Sequence, residues 1–187
     1  MQEDTPMSQS KRASLSSYQF SASDRLFLDT NVWLAVLGPH APGDELARIY
    51  SRALADIRQA RCAIFVDSLV LAEFINRCVR IAFETFCPNC ATPGKFKEFR
   101  RSPLFAQAAA DIANDAGRIL EYCGRLDHCF AALDIDPLLA AFGAGRCDFN
   151  DLVITELCKR EGLTLVTHDG DFSRATVPLI SANPKLL

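Results

Sequence analysis

Short apolar runs alternate with amphipathic segments along most of this chain. Apolar runs bounded by polar residues predict buried strands at 25–29, 61–66, 163–167 and 177–181, with a further candidate within 128–135. Apolar positions at helical spacing predict helices at 32–37, 44–59, 69–86, 102–124, 137–142 and 148–162. Strands that alternate with helices predict an α/β fold, with a central, mostly parallel β-sheet flanked by helices on both faces.

Two segments depart from this alternation. Residues 1–24 are rich in Ser and lack periodic apolar positions, which predicts a disordered leader before a single domain over 25–187. The second segment, at about 87–126, contains a Cys-x-x-Cys pair and then a basic and aromatic run. The cations of that run are Lys95, Lys97, Arg100 and Arg101. They could bind RNA, or the run could be a solvated loop or a lid that contacts a partner.

Composition narrows the functional classes. With 187 residues, of which 49% are hydrophobic, the chain is long enough to bury a sizeable core. The net charge of -3 is not that of a generally basic nucleic-acid binder, so any RNA contact would need a local basic patch. There is no apolar run of membrane-span length and no signal-peptide pattern, which predicts a cytoplasmic protein that does not enter a membrane.

Eight cysteines are many for a chain of this length. In a chain without an export signal they favour free thiols or a metal site over disulfides. Cys87 and Cys90 have the spacing of zinc ligands, but no second Cys-x-x-Cys occurs. The fold would have to supply the remaining ligands, from Cys78, Cys123, His128 or Cys129. Reduced, partly buried thiols are the alternative.

Acidic residues follow predicted strands or lie on the helices after them. The four main candidates are Asp29, Glu73, Asp151 and Asp169, with Asp171 as a fifth. Each also has an ordinary structural explanation. Asp29 could cap a helix, Asp151 could complement a helix dipole, and Asp169 could belong to a turn. Glu73 could pair with Arg77 one helical turn later.

Taken together, the acids predict a metal site. Carboxylates that meet at one edge of a sheet repel one another, and some take up protons unless a cation joins them. A group of carboxylates without Cys or His favours Mg²⁺ or Mn²⁺. Such an ion binds substrate phosphates and can activate water for attack on phosphorus. The residues themselves therefore point to phosphodiester chemistry.

Four stretches carry a resemblance to a known family. They are Leu-Asp-Thr-Asn at 28–31, Ser-Leu-Val-Leu-Ala-Glu at 68–73, Asn-Asp-Leu-Val-Ile at 150–154 and Leu-Val-Thr-His-Asp-Gly-Asp-Phe at 165–172. In this order and at this spacing they resemble the PIN-domain family, close in pattern to the VapC-type ribonuclease toxins. The resemblance covers nearly all of 25–181.

The resemblance implies a parallel sheet wrapped by helices, cleavage of RNA that depends on Mg²⁺ or Mn²⁺, and frequent homodimers. The acids of the family carry over to Asp29, Glu73, Asp151 and Asp169, and in some members to the position of Asp171. Thr30 or Asn31 is expected to support the first acid by hydrogen bonding. Arg77 and Arg80 lie outside the motif, and contact with an RNA phosphate is suggested for them.

These expectations combine into one functional prediction and one alternative. The prediction is a divalent-metal-dependent endoribonuclease, the toxin of a toxin–antitoxin pair with a cognate antitoxin protein. The alternative is a non-catalytic PIN-fold module that binds RNA or a protein partner.

Overall fold

A six-stranded sheet forms the centre of the computed structural model, which describes residues 11–39, 43–86, 93–145 and 147–187. The strands are β1 (Arg12–Ser14), β2 (Arg25–Leu28), β3 (Ala63–Val66), β4 (Gly124–Arg125), β5 (Thr164–Val166) and β6 (Leu179–Ser181). They lie in the order β1-β6-β5-β2-β3-β4, and every neighbouring pair is parallel. The predicted α/β class with a mostly parallel sheet is confirmed.

Seven α-helices lie within the described ranges. They are α1 (Thr30–Leu37), α2 (Glu45–Gln59), α3 (Ser68–Phe86), α4 (Pro93–Phe99), α5 (Pro103–Tyr122), α6 (Ile135–Gly143) and α7 (Phe149–Glu161). Three short 3₁₀ turns lie between β4 and α6, between β5 and β6, and after β6. They are Phe130–Ala132, Gly170–Arg174 and Pro184–Leu186. Across the described ranges, no helix combines the length and the apolar character that a bilayer span requires.

β2 lies inside the sheet and is covered on both faces. Leu26, Phe27 and Leu28 are all fully buried. Because successive side chains of a strand point to opposite faces, burial of all three requires packed elements on each side. This explains why the strand is a continuous apolar run instead of an alternating one.

The chain reverses its direction across the sheet at β2. It continues from β2 to β3 and β4 on one side and later enters β5 on the other side. A crevice outside the carboxyl ends of the strands forms at such a reversal, and ligands of open α/β sheets bind there. The residues that directly follow β2 and β5 are therefore neighbours at this edge.

The expectation of a disordered leader is wrong for residues 11–24. β1 pairs with β6, and the amide of Leu179 donates to the carbonyl of Lys11 at 2.9 Å. Tyr18 and Phe20 are partly buried against the core. Three residues are too few to produce a visible alternation, and their partner strand lies at the far end of the chain. Residues 1–10 lie outside the described ranges.

Two predictions between 87 and 135 are also corrected. The basic run at 95–101 is not the solvated loop that was one of its interpretations, because most of it belongs to α4, whose aromatic side chains pack against α3 and α5. The strand expected within 128–135 is absent from this described segment, which forms a 3₁₀ turn and the start of α6. The two-residue strand β4 lies just before it. Cys87 and Cys90 lie outside the described residues.

Candidate active site

The four predicted acids lie around one cavity at the carboxyl edge of the sheet. Asp29 follows β2, Asp169 follows β5, Glu73 lies in the second turn of α3 and Asp151 lies in the first turn of α7. The cavity has a volume of about 160 Å³ and is lined by Asp29, Thr30, Asn31, Leu34, Glu73, Arg77, Asp148, Asn150, Asp151 and Asp169. Residues up to 140 positions apart thus meet at the crevice where the strand order reverses.

Asp29 is a buried carboxylate with both oxygens hydrogen-bonded. Oδ1 accepts from the amide of Thr30 at 2.7 Å, so the side chain also caps α1. Oδ2 accepts from the hydroxyl of Thr167 at 2.7 Å and from the side-chain amide of Asn31. The hydroxyl of Thr30 donates to Glu73 at 3.2 Å. Asn31 and the backbone of Thr30 thus contact the first acid, while the Thr30 side chain contacts the second.

Thr167 is a site residue that the sequence reading did not assign. Its hydroxyl donates to Asp29 and accepts from the side chain of Asn31 at 3.1 Å and from the amide of Asp169 at 3.0 Å. The side chain is fully buried. The register of β2 against β5 explains its position, because Leu28 lies opposite Val166 and the next residues are therefore neighbours.

The acids perturb one another. Burial raises the pKa of Asp29 to about 6, hydrogen bonds from Thr167 and Thr30 partly offset this, and the charges of Glu73 and Asp169 add to it. Burial likewise raises the pKa of Asp151 to about 7, together with the charges of neighbouring carboxylates, Asp29 first among them. The cavity therefore resists full ionisation of its acids unless a positive charge enters it.

Asp148 and Asp171 extend the acidic site on one side. One carboxylate oxygen from each of Asp148, Asp151 and Asp171 lies within 4.8 Å of the others. Asp148 directly precedes α7, where a capping residue is expected, but its side chain makes no capping hydrogen bond and instead borders the cavity. Asp148 and Asp151 belong to both groups, whereas Asp171 lies beside them and does not line the cavity.

The predicted cations lie in two separate places. Arg77 lines the acidic cavity, and within the described residues its side chain makes no hydrogen bond or ion pair. The alternative pairing of Arg77 with Glu73 is therefore not formed. Arg80 is exposed one turn further along α3. The remaining cations lie on α4 or just after it, are exposed and do not line the cavity: Lys95, Lys97, Arg100 and Arg101.

The aromatic residues near these cations pack inward. Phe96 and Phe99 contact Phe83 of α3, with ring centroids 5.2 and 5.5 Å apart, and Phe99 contacts Phe105 of α5 at 5.6 Å. The guanidinium of Arg100 lies 5.1 Å from the centroid of the Phe105 ring. Because these rings pack on one another, Phe96 and Phe99 serve to anchor α4 and do not offer stacking surfaces to RNA.

The donor set fits a hard divalent cation. All acidic side chains of the cavity offer carboxylate oxygens, the ligands that Mg²⁺ and Mn²⁺ prefer. Burial, and after it the neighbouring carboxylates, raise the pKa values of Asp29 and Asp151, and a bound cation would favour the ionised form of both acids. The fold and this cavity define an α/β protein with an acidic site at the carboxyl edge of its sheet.

Comparison with known proteins places this chain in a family. A family model for the PIN domain matches residues 26–178, which is most of the chain. The chain therefore belongs to the PIN-domain family, whose members are generally nucleases. No match was found among curated proteins.

Two solved structures are similar to this chain. VapBC2 from Rickettsia felis, solved with a DNA fragment from its promoter, aligns with a TM-score of 0.54 at 17% identity, over 84% of this chain and 98% of that chain. FitAB bound to the IR36 DNA fragment aligns with a TM-score of 0.40 at 18% identity, over 84% and 94% of the respective chains. At this identity the VapBC2 comparison supports the fold.

Proposed function

We propose that this protein is a divalent-metal-dependent endoribonuclease and the toxin of a toxin–antitoxin pair. The observation that carries the proposal is the convergence of Asp29, Glu73, Asp151 and Asp169 on one cavity of a PIN-family fold. Exposed acids are common on protein surfaces, whereas four acids gathered from separate elements at a strand-order reversal require a reason. Binding of a cation that in turn binds phosphate supplies one.

The four acids would hold Mg²⁺ or Mn²⁺. When bound, the ion supplies charge neutralisation at the scissile phosphate and lowers the pKa of a nearby water. The Asp29 carboxylate is already oriented for this role, because Thr30, Asn31 and Thr167 donate hydrogen bonds to its two oxygens. Such outer hydrogen bonds orient a ligand before the ion arrives.

Arg77 supports a phosphodiester as the substrate. It is a cation in the wall of an otherwise acidic cavity and has no protein partner among the described residues. A guanidinium in this position can donate to a phosphate oxygen while the acids bind the ion. The expected products, by the family resemblance, carry a 5′-phosphate and a 3′-hydroxyl. RNA as the substrate also comes from that resemblance.

The proposed partners follow from the same resemblance. VapBC2 was solved bound to a fragment of promoter DNA, and the chain aligns with nearly all of its VapBC2 counterpart. We therefore expect a cognate antitoxin, encoded by a neighbouring reading frame, and a homodimer of the toxin. The test is co-expression with the neighbouring reading frame followed by co-purification, with light scattering to give the stoichiometry.

The central test is the substitution Asp29→Asn. It removes the buried charge with little change in volume, so we expect cleavage of pooled RNA to be lost and Mn²⁺ affinity to fall by at least about 100-fold. Gel assays of cleavage and calorimetry of Mn²⁺ binding measure the two effects. The matched control is Asp56→Asn, because Asp56 is a partly exposed acid on α2 that pairs with Arg52 and does not line the cavity.

Two results would separate the alternatives. Full cleavage by purified Asp29→Asn would refute the active-site assignment. The wild-type protein could instead bind Mn²⁺ tightly without cleaving RNA, under conditions in which it and Asp56→Asn are both folded. That result would favour the non-catalytic RNA- or protein-binding module.

A further inference from the structure

A second cavity adjoins the acidic site and contains an exposed aromatic ring. It has a volume of about 220 Å³ and is lined by Phe142, Gly145, Cys147, Asp148 and Asp171. Asp148 also lines the acidic cavity, so the two cavities share a wall. Phe142 therefore lies next to the proposed site of cleavage, although its position in the sequence gives no hint of this.

The position of Phe142 follows from the end of α6. The ring belongs to the last turn of that helix and is 50% exposed. Gly145 has a φ of 65°, in the left-handed region, and its amide donates to the carbonyl of Phe142 at 2.8 Å. This turn ends α6, and Asp148, which directly precedes α7, lines the same cavity as the ring.

We propose that Phe142 is a stacking platform for a nucleobase next to the scissile phosphate. The proposal rests on the proposed function, because it assigns a further substrate contact to the same nuclease site. A single-stranded RNA that places a phosphate at the acids extends a neighbouring base into the adjoining cavity. An exposed aromatic face gains free energy by stacking on any base, because every base has a π-face.

The charges around the ring favour a base over a protein surface. An apolar protein surface that covered Phe142 would also bury the carboxylates of Asp148 and Asp171, which is costly without paired cations. A planar base can cover one face of the ring and leave both carboxylates in water. Phe130 provides a contrast, because it is 55% exposed but does not line this cavity.

Steady-state kinetics on a short single-stranded RNA pool of randomised sequence test the proposal. We expect Phe142→Ala to raise KM by about tenfold with a smaller change in kcat, because one stacked base is lost. Phe142→Trp should restore KM, since it keeps an aromatic face. Phe130→Ala, the matched control, should behave as wild type. Mn²⁺ calorimetry should be unchanged in all three variants, which shows that the acidic site remains intact.

An abasic version of the same pool gives an independent test. Wild type should lose about the same factor on abasic RNA as Phe142→Ala loses on normal RNA. Phe142→Ala should lose little more on the abasic pool, because the stacking contact is already gone. If the loss caused by Phe142→Ala and the loss caused by the missing bases instead multiply when both are present, the proposal is contradicted.

The remaining outcomes are distinguishable. An unchanged KM for Phe142→Ala, in a preparation whose wild type cleaves RNA, would overturn this inference and leave the proposed function standing. A change in oligomeric state by light scattering, with KM unchanged, would identify the ring as an interface between copies and also overturn it. Absence of any RNA cleavage by wild type would refute the proposed function, and the inference with it.

Discussion

Asp29 is the residue on which the site depends most. It terminates β2, caps α1 and places a fully hydrogen-bonded carboxylate in the cavity. Burying a carboxylate costs free energy, and three donors reduce that cost without supplying a full positive charge. The part of this free-energy cost that the donors leave uncompensated favours binding of a cation next to Asp29.

At the residue scale, the first prediction concerns Thr167→Val, which removes the hydroxyl donor to Asp29 and nearly preserves volume. We expect Mn²⁺ affinity to fall by about 10- to 100-fold, because an outer partner of a metal ligand is lost. Calorimetry measures this change. Thr167→Ser keeps the hydroxyl and should restore most of the affinity, and equal binding by the Val variant would contradict the role of this hydrogen bond.

The second residue-scale prediction concerns pH. The pKa values of Asp29 and Asp151 are raised to about 6 and about 7 in the folded, metal-free protein, so the folded state retains protons that the unfolded chain has already lost. These two acids therefore lower the free energy of unfolding progressively as the pH rises from about 4 to about 7.

The variant Asp151→Asn isolates this effect. It cannot ionise, so in the metal-free state it should gain stability relative to wild type as the pH rises from about 5 to about 8. Urea unfolding in the presence of a chelator, at both pH values, measures the difference. A stability difference that does not change with pH would show that the pKa of Asp151 is not raised in the folded protein.

At the scale of elements, β1 connects the N-terminal segment to the acidic site. The guanidinium of Arg12 donates to the carbonyls of Ser173 at 2.7 Å and of Leu186 at 3.0 Å. Ser173 belongs to the 3₁₀ turn Gly170–Arg174, which carries Asp171. A strand outside the matched PIN region thus holds the turn that bears one of the acids.

Arg12→Ala should therefore destabilise the fold by about 1–3 kcal/mol, because charge-assisted hydrogen bonds to backbone carbonyls are lost. Chemical denaturation measures the change in the free energy of unfolding. Lys11→Ala is the neighbouring control, since Lys11 is exposed and contributes its backbone carbonyl to the sheet. Equal stability of both variants would show that β1 is held by its backbone alone.

At the scale of the whole molecule, binding of the ion should stabilise the folded protein. A ligand that binds only the folded state at about 100 times its dissociation constant adds about 2.7 kcal/mol. Mn²⁺ should accordingly raise the thermal unfolding midpoint of wild type, and a chelator should reverse the increase. Asp29→Asn should show little of this response, whereas an undiminished response would place the ion elsewhere.

The sequence predicted those parts of the molecule that depend on local chemistry and on general rules for sheets. Asp29 and Asp169 could be placed at one edge because parallel strands share their carboxyl ends. Asp151 could be placed by its position in the first turn of a helix. The register of Thr167 against Asp29 depends on the pairing of β2 with β5, which no local pattern specifies.

Asp148 and β1 escaped prediction for related reasons. Asp148 stands where a helix cap is expected, so only its missing capping bond and its place in the cavity reveal another role. β1 has three residues, and a strand that short carries no periodicity from which it could be recognised. Contacts between distant parts of the chain decided both outcomes.

The pairing of β1 with β6 has a consequence for how the protein is made. Arg12 and its acceptor Leu186 are separated by 174 positions, so the ribosome releases the first strand long before the last one exists. Contacts of such separation form slowly, because a long loop must close before they yield any free energy. During synthesis β1 therefore remains unpaired until β6 has been made, and the sheet closes at this edge late in folding.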